Sequence, residues 1–120
     1  NTKASLASIE SRLNNYDTAA RLYREALSNA QESLGPNSIE TAKILNGMGY
    51  LNYQSGKYDT ARSYYEWAIA STTRAAGGNS PLLAACMKDY AQVLRKLDKA
   101  SDADQVEAKA NRILSGLAQN

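Results

Sequence analysis

The chain has 120 residues, with 14 Lys and Arg against 12 Asp and Glu, and its net charge of +2 is too balanced to require nucleic acid or an acidic membrane as a partner. One cysteine, Cys86, and no histidine exclude an internal disulfide and leave no zinc or copper site to expect, and no cofactor motif is present. Phe is absent and Trp occurs once, so Tyr, Leu and Ala must do most of the packing, which a chain this short achieves only if its units stack on one another.

In chain order, residues 3–13 read as a short helix with Leu6, Ile9 and Leu13 on one side, and Asn14-Asn15 as the turn that ends it. Asp17 or Thr18 is the expected cap of a second helix, whose apolar positions Ala19, Tyr23, Ala26, Leu27 and Ala30 lead to Leu34. Gly35-Pro36-Asn37-Ser38 stops it, and Ser38 with Thr41 opens a hairpin of two helices over residues 40–76 that turns at Gly56-Lys57. In that hairpin Ala42, Leu45, Met48, Gly49 and Asn52 share one face, while Tyr58, Ala61, Tyr65, Ala68 and Thr72 share the face opposite them. The notches at Gly49, Ala61 and Ala68 allow two backbones to approach, with Leu45, Met48 and Tyr65 filling the space around them.

Gly77-Gly78-Asn79-Ser80-Pro81 repeats the earlier punctuation, with Pro81 suited to the first turn of a fifth helix over residues 82–96. That helix carries Ala84, Met87, Tyr90, Ala91 and Leu94. After a turn at Leu97-Asp98-Lys99, a last helix over about residues 101–118 faces Ala103, Val106, Ala110 and Ile113 inward and Asp102, Gln105, Lys109 and Arg112 outward, as an end cap should.

Sliding residues 14–45 onto 56–87 gives ten identities in 32 positions, among them Tyr16 with Tyr58, Ala19 with Ala61, Tyr23 with Tyr65 and Gly35 with Gly77. Roughly two would arise by chance from average composition. A period of 42 residues is therefore real, and periods of this size mark stacked helical units.

The spacing of Leu45, Met48, Gly49, Asn52, Gly56, Tyr58, Ala61, Tyr65 and Ala68 resembles the tetratricopeptide repeat, in the 42-residue variety of kinesin light chains and many bacterial proteins. Two departures are that Ala100 and Glu107 stand where the earlier units have tyrosine, and that Asn52 stands where the family usually has an aromatic. The resemblance implies an all-α, right-handed solenoid of three antiparallel helix pairs in a single domain, with units at about residues 3–34, 39–76 and 81–118. It also implies that the first helix of each pair lines a concave side, and that Asn46 matches a position from which such repeats hydrogen-bond a bound peptide's backbone.

Residues on the far side of each first helix from its hairpin partner then form the candidate groove: Lys43, Asn46, Tyr50, Tyr53 and Gln54 in the middle unit, and Lys88, Gln92, Arg95 and Lys96 in the third. In the first unit Ala4, Ser8, Ser11 and Arg12 hold the equivalent places and offer less. Tyrosines, an amide and four cations suit an extended or short helical segment bearing carboxylates, although the same residues are also compatible with plain solvated helix faces. The expected function is a non-catalytic protein-interaction module. The alternatives are a structural or self-associating spacer whose exposed ends identical copies cover, and, more remotely, single-strand nucleic-acid binding on the Tyr and Lys ridge.

Other candidates read as structural. Asp102 and Asp104 diverge on their helix, Glu25, Glu32, Glu40 and Glu66 look solvated or helix-starting, and no motif pairs a base with a nucleophile. Gly77-Gly78 lacks the lysine of a phosphate loop. Cys86 reads as a small packed side chain rather than a redox site, and Trp67 with Tyr64 as filler for the joint to the next unit, the alternative being an exposed contact pair. No apolar run reaches the length of a membrane span and no signal peptide is visible. The first residue is Asn1 rather than Met, so the sequence reads as part of a longer protein, with a cytoplasmic setting expected.

Overall fold

The computed structural model describes residues 2–118. Six helices occupy them: α1 (Thr2–Arg12), α2 (Tyr16–Leu34), α3 (Ile39–Gln54), α4 (Tyr58–Ala76), α5 (Pro81–Lys96) and α6 (Ala100–Ala118). Each helix packs chiefly on its hairpin partner, and α2 on α3 and α4 on α5 join the pairs in sequence, an all-α solenoid. The slab measures 38 × 32 × 20 Å. Its thickness is that of two helix layers at about 10 Å each.

The turns repeat more faithfully than the side chains. Asn14, Gly56 and Asp98, each 42 residues from the next, all take left-handed backbone with φ of 64°, 80° and 60°. Asn and Asp are among the few residues with side chains that tolerate this region, and Gly56 enters it freely. The residue after each closes the same bond: Asn15 N–H to Glu10 O at 2.8 Å, Lys57 N–H to Asn52 O at 2.8 Å, and Lys99 N–H to Leu94 O at 2.9 Å. Ser38 and Ser80 cap α3 and α5, their hydroxyls accepting from Thr41 N–H at 3.0 Å and Leu83 N–H at 2.9 Å. Neither Asp17 nor Thr18 caps α2. Asn15 holds the cap position without a side-chain cap bond, its amide donates to Glu10 instead, and Asp17 lies in the first turn, where its charge favours the helix dipole.

Packing follows the notches. Gly49 lies under the ring of Tyr65, so that a Cβ there would stand 2.9 Å from Tyr65 Cε1. Gly47, which the sequence reading passes over, plays the same part beneath Tyr23, with a Cβ 2.7 Å from the hydroxyl. Ala61, Ala68, Ala103 and Ala110 are fully buried, as are Ala7 and Ala91, the residues one period from Gly49 on either side. Side-chain hydroxyls pin the connections: Ser71 donates to Pro36 O at 2.6 Å and Thr41 to Gly35 O at 2.9 Å. Cys86 is wholly buried beside Leu45 and Ala68, and burial pushes its thiol up to about 11.

Leu6, Ile9 and Leu13 share one side of the first helical stretch, and it is the outer one, while Ala7 and Ser11 turn inward. One expectation fails here. Trp67 does not fill a joint. It is 41% exposed and stacks on Tyr64, with centroids 6.5 Å apart and planes 11° from parallel, and Tyr64 is the ring that packs against the interior.

Gly49→Val should lower unfolding free energy by about 1–3 kcal/mol in urea titrations, because the Tyr65 ring has no space to retreat into. Alkylation of Cys86 at pH 8 should run at least roughly a hundredfold slower in the folded chain than in urea, since the raised pKa alone removes that much thiolate.

Candidate functional site

The pairs do not stack squarely. Among the described residues the backbone of α1 approaches that of α3, and α3 that of α5, whereas the backbones of α2 and α4, or α4 and α6, do not come close. The first helices are thus gathered together and the second helices splayed, so the array curves and α1, α3 and α5 line its inner side. That is the side on which the sequence reading places the groove.

Between α1 and α3 lies a cleft of about 340 Å³. Ala4, Ser5 and Ser8 form one wall, Lys43, Asn46 and Gly47 the other, and Tyr23 sits at the base. The absence of a side chain at Gly47 admits the Tyr23 ring, and the hydroxyl takes part in a hydrogen bond with Ser8. Burial raises the Tyr23 pKa while that bond opposes the rise. The unit expected to offer least therefore supplies half of the cleft.

Asn46 is its most unusual member. Its Oδ1 is buried and has no hydrogen-bond partner. Its side chain reaches across to Asp89 on α5, a carboxylate that the sequence reading omits. Burial raises the Asp89 pKa, and the hydrogen bond from Asn46 offsets part of the rise. No Lys or Arg among the described residues pairs with Asp89. The signal was available in the helical spacing, since Asp89 adjoins Lys88 and precedes Gln92 by three residues, on the same flank of the fifth helix.

The other candidate residues divide into two groups. Lys43, Tyr50, Gln92 and Lys96 are exposed, and Lys88 is half-buried. Tyr50 stacks on Tyr53 with centroids 6.4 Å apart, and Tyr53 in turn packs on Tyr58 at 5.7 Å and joins the cluster around Tyr65 and Val93. Tyr53 is thus largely a packing residue that supports Tyr50. Gln54 accepts a hydrogen bond from Ser11 at 2.6 Å and ties α3 to α1. Arg95 is engaged within its own pair: its guanidinium bonds Glu107 and, at 3.2 Å, Asp104, both on α6. Arg95 stands one period from Tyr53 and Glu107 one period from Tyr65, so this ion pair takes over a contact that the middle unit makes between rings. It faces the hairpin partner, not the groove.

Among the described residues no group of three or more Cys, His, Asp or Glu could hold a metal ion, and no helix is long and apolar enough to cross a membrane.

No curated protein matches the chain. Among solved structures, BtubC (BKLC) from P. vanneervenii is similar over 98% of this chain, with a TM-score of 0.92 and 25% sequence identity, and the present chain spans 47% of that one. The family model described as tetratricopeptide repeat matches residues 1–74. On that match, and on the helix pairs that carry it, the chain belongs to the tetratricopeptide repeat family, whose repeats are in general non-catalytic protein-interaction modules.

Proposed function

We propose that the inner side of the array binds an extended peptide segment, with carboxylates flanking its centre, in the cleft between α1 and α3 and onward across α5. The observation that carries this reading is Asn46. A buried amide oxygen without a partner costs about 1–3 kcal/mol. A turn of that amide toward a peptide N–H recovers the bond, and the N–H of the same amide can answer a peptide carbonyl. Lys43 on one side and Lys88 with Lys96 on the other supply cations for carboxylates at the two ends of the segment. Tyr50, 49% exposed and backed by Tyr53, offers a flat face that loses little conformational freedom on contact. Asp89 in the middle disfavours a carboxylate there and accepts from a backbone N–H or a cationic side chain, so the acidic preference belongs to the flanks. Arg95 takes no part, being committed to α6.

A randomised peptide library selected on the chain should enrich segments with Asp or Glu on either side of an uncharged or basic centre. Lys43→Glu with Asn46→Ala should weaken the best binder at least about tenfold, the scale of one charge-assisted and one neutral hydrogen bond, while Arg95→Glu leaves it within about twofold. Binders without acidic flanks, unaffected by the double change, would remove the groove.

Asp89 also fixes a pH dependence. Because its folded pKa lies above the unfolded value, the folded chain holds the proton more tightly, and stability falls as pH rises through the window between the two. Asp89→Asn should accordingly raise Tm at pH 7, and the gain should vanish at pH 3, where the carboxyl is protonated in both states.

A further inference from the structure

The two joints between successive second helices follow one plan but are filled differently. Where α2 and α4 stand apart, on the face of α3 opposite Asn46 and Tyr50, a hollow of about 240 Å³ opens. Met48 and Leu51 make an apolar floor, and Arg24 of α2, Asn52 of α3 and Lys57 and Thr60 at the start of α4 stand around it. One period later, between α4 and α6, the same register positions close the space. Leu94, buried, holds the place of Asn52, and Tyr90 holds the place of Met48 and donates its hydroxyl to Glu66 at 2.7 Å. Glu66 holds the place of Arg24 and pairs at 3.5 Å with Arg62, which stands where the hollow has the smaller Ala20. The second joint is thus packed and its charges are balanced.

The first joint has neither property. Among the described residues no Asp or Glu lines the hollow, and neither Arg24 nor Lys57 makes an ion pair. Two cations at one cavity without a counter-charge repel each other, and a bound anion removes that repulsion. Asn52 Nδ2 donates to Met48 O at 2.8 Å, which holds the amide against the floor and leaves its second N–H hydrogen uncommitted.

From this contrast we propose that the hollow between α2, α3 and α4 binds the phosphate group of a phosphate monoester. The Arg24 guanidinium presents a fork to two phosphate oxygens, Lys57 a point charge to the third, and Thr60 and Asn52 add neutral donors. A monocarboxylate would leave one cation unmet. The ester's carbon stem lies on Met48 and Leu51. A volume of 240 Å³ equals roughly eight waters at ~30 Å³ each, enough for a phosphate group with a stem of two or three carbons. A phosphorylated serine side chain and a small free phosphate ester both carry this chemistry. No residue of the hollow belongs to the groove, so the two readings stand or fall separately.

The test takes the chain of residues 1–120 and uses its one tryptophan. Trp67 stacks on Tyr64, a wall of the hollow, with centroids 6.5 Å apart, so its fluorescence responds to a ligand there. Titration with N-acetyl-O-phosphoserine methylamide and with glycerol phosphate, followed by fluorescence and by calorimetry, should give saturable binding, the tighter of the two identifying the source. Acetate and chloride at equal ionic strength should give none. Arg24→Ala and Lys57→Ala should each weaken binding at least about tenfold, the scale of one charge-assisted hydrogen bond. Asn52→Leu, which places the third unit's residue in the hollow, should abolish binding with Tm unchanged or raised, and Lys43→Glu with Asn46→Ala should leave binding intact. Absence of saturable binding of either ester overturns the proposal, as does binding that acetate or chloride matches or that survives Arg24→Ala with Lys57→Ala.

Discussion

A tyrosine ring lying flat on a helix can be buried only where the neighbouring helix lacks a side chain, and this requirement sets the spacing of the array. Tyr65, 1% exposed, sits against Gly49, and Tyr23, 6% exposed, against Gly47. Each ring fills the space that its glycine vacates, so the two backbones close on a rigid flat body instead of a flexible chain. Burial of the hydroxyl-bearing rings also lifts both phenol pKa values, which keeps them neutral throughout the range in which the fold operates. The array thus has two matched pairs of ring and gap, Tyr65 with Gly49 inside the α3–α4 hairpin and Tyr23 with Gly47 across the joint of α2 and α3.

The curvature shows in which backbones approach one another. Those of α1, α3 and α5 come close in turn, while those of α2, α4 and α6 do not. Concavity on the side of the first helices follows from this difference in approach. It brings Ser8, Asn46 and Asp89, residues from three different helices, into one continuous line of hydrogen-bonding groups. Local packing thus determines which polar groups become neighbours.

Much of this could be read from the residues. The 42-residue identities located the pairs, and the punctuation at Gly35 and Gly77 located the connections, because left-handed backbone is a local property that a few residue types announce. Asn14 and Asp98 hold that backbone where the middle unit has Gly56, so the third unit keeps its geometry although its side chains match the others poorly. What the residues did not disclose was direction across joints. A helical wheel gives the same stripe for Leu6, Ile9 and Leu13 whether or not a neighbour covers it, and only the arrangement of units reveals that nothing within the described chain does. Arg95 escaped for a related reason: its angle on the helix is shared by groove and partner, and the choice between them depends on Asp104 and Glu107, nine and twelve residues away. Asp89 was passed over because an unpaired carboxylate on an otherwise basic helix looks like an ordinary surface charge until Asn46 is seen beside it.

The third unit keeps the plan of the others while its second helix presents different side chains. Replacing the ring at position 107 by a carboxylate removes the body that would have needed a notch in a following helix, and the Arg95 guanidinium keeps the carboxylate within its own pair. An exposed ion pair contributes little to stability. Its effect is on specificity, since an apolar helix approaching α6 would have to strip water from Asp104 and Glu107 without offering a replacement. On α1 the outer side carries Leu6, Ile9 and Leu13, all exposed. The difference between α6 and the other second helices is thus written in side chains at positions 107 and 111 and requires no change in the backbone.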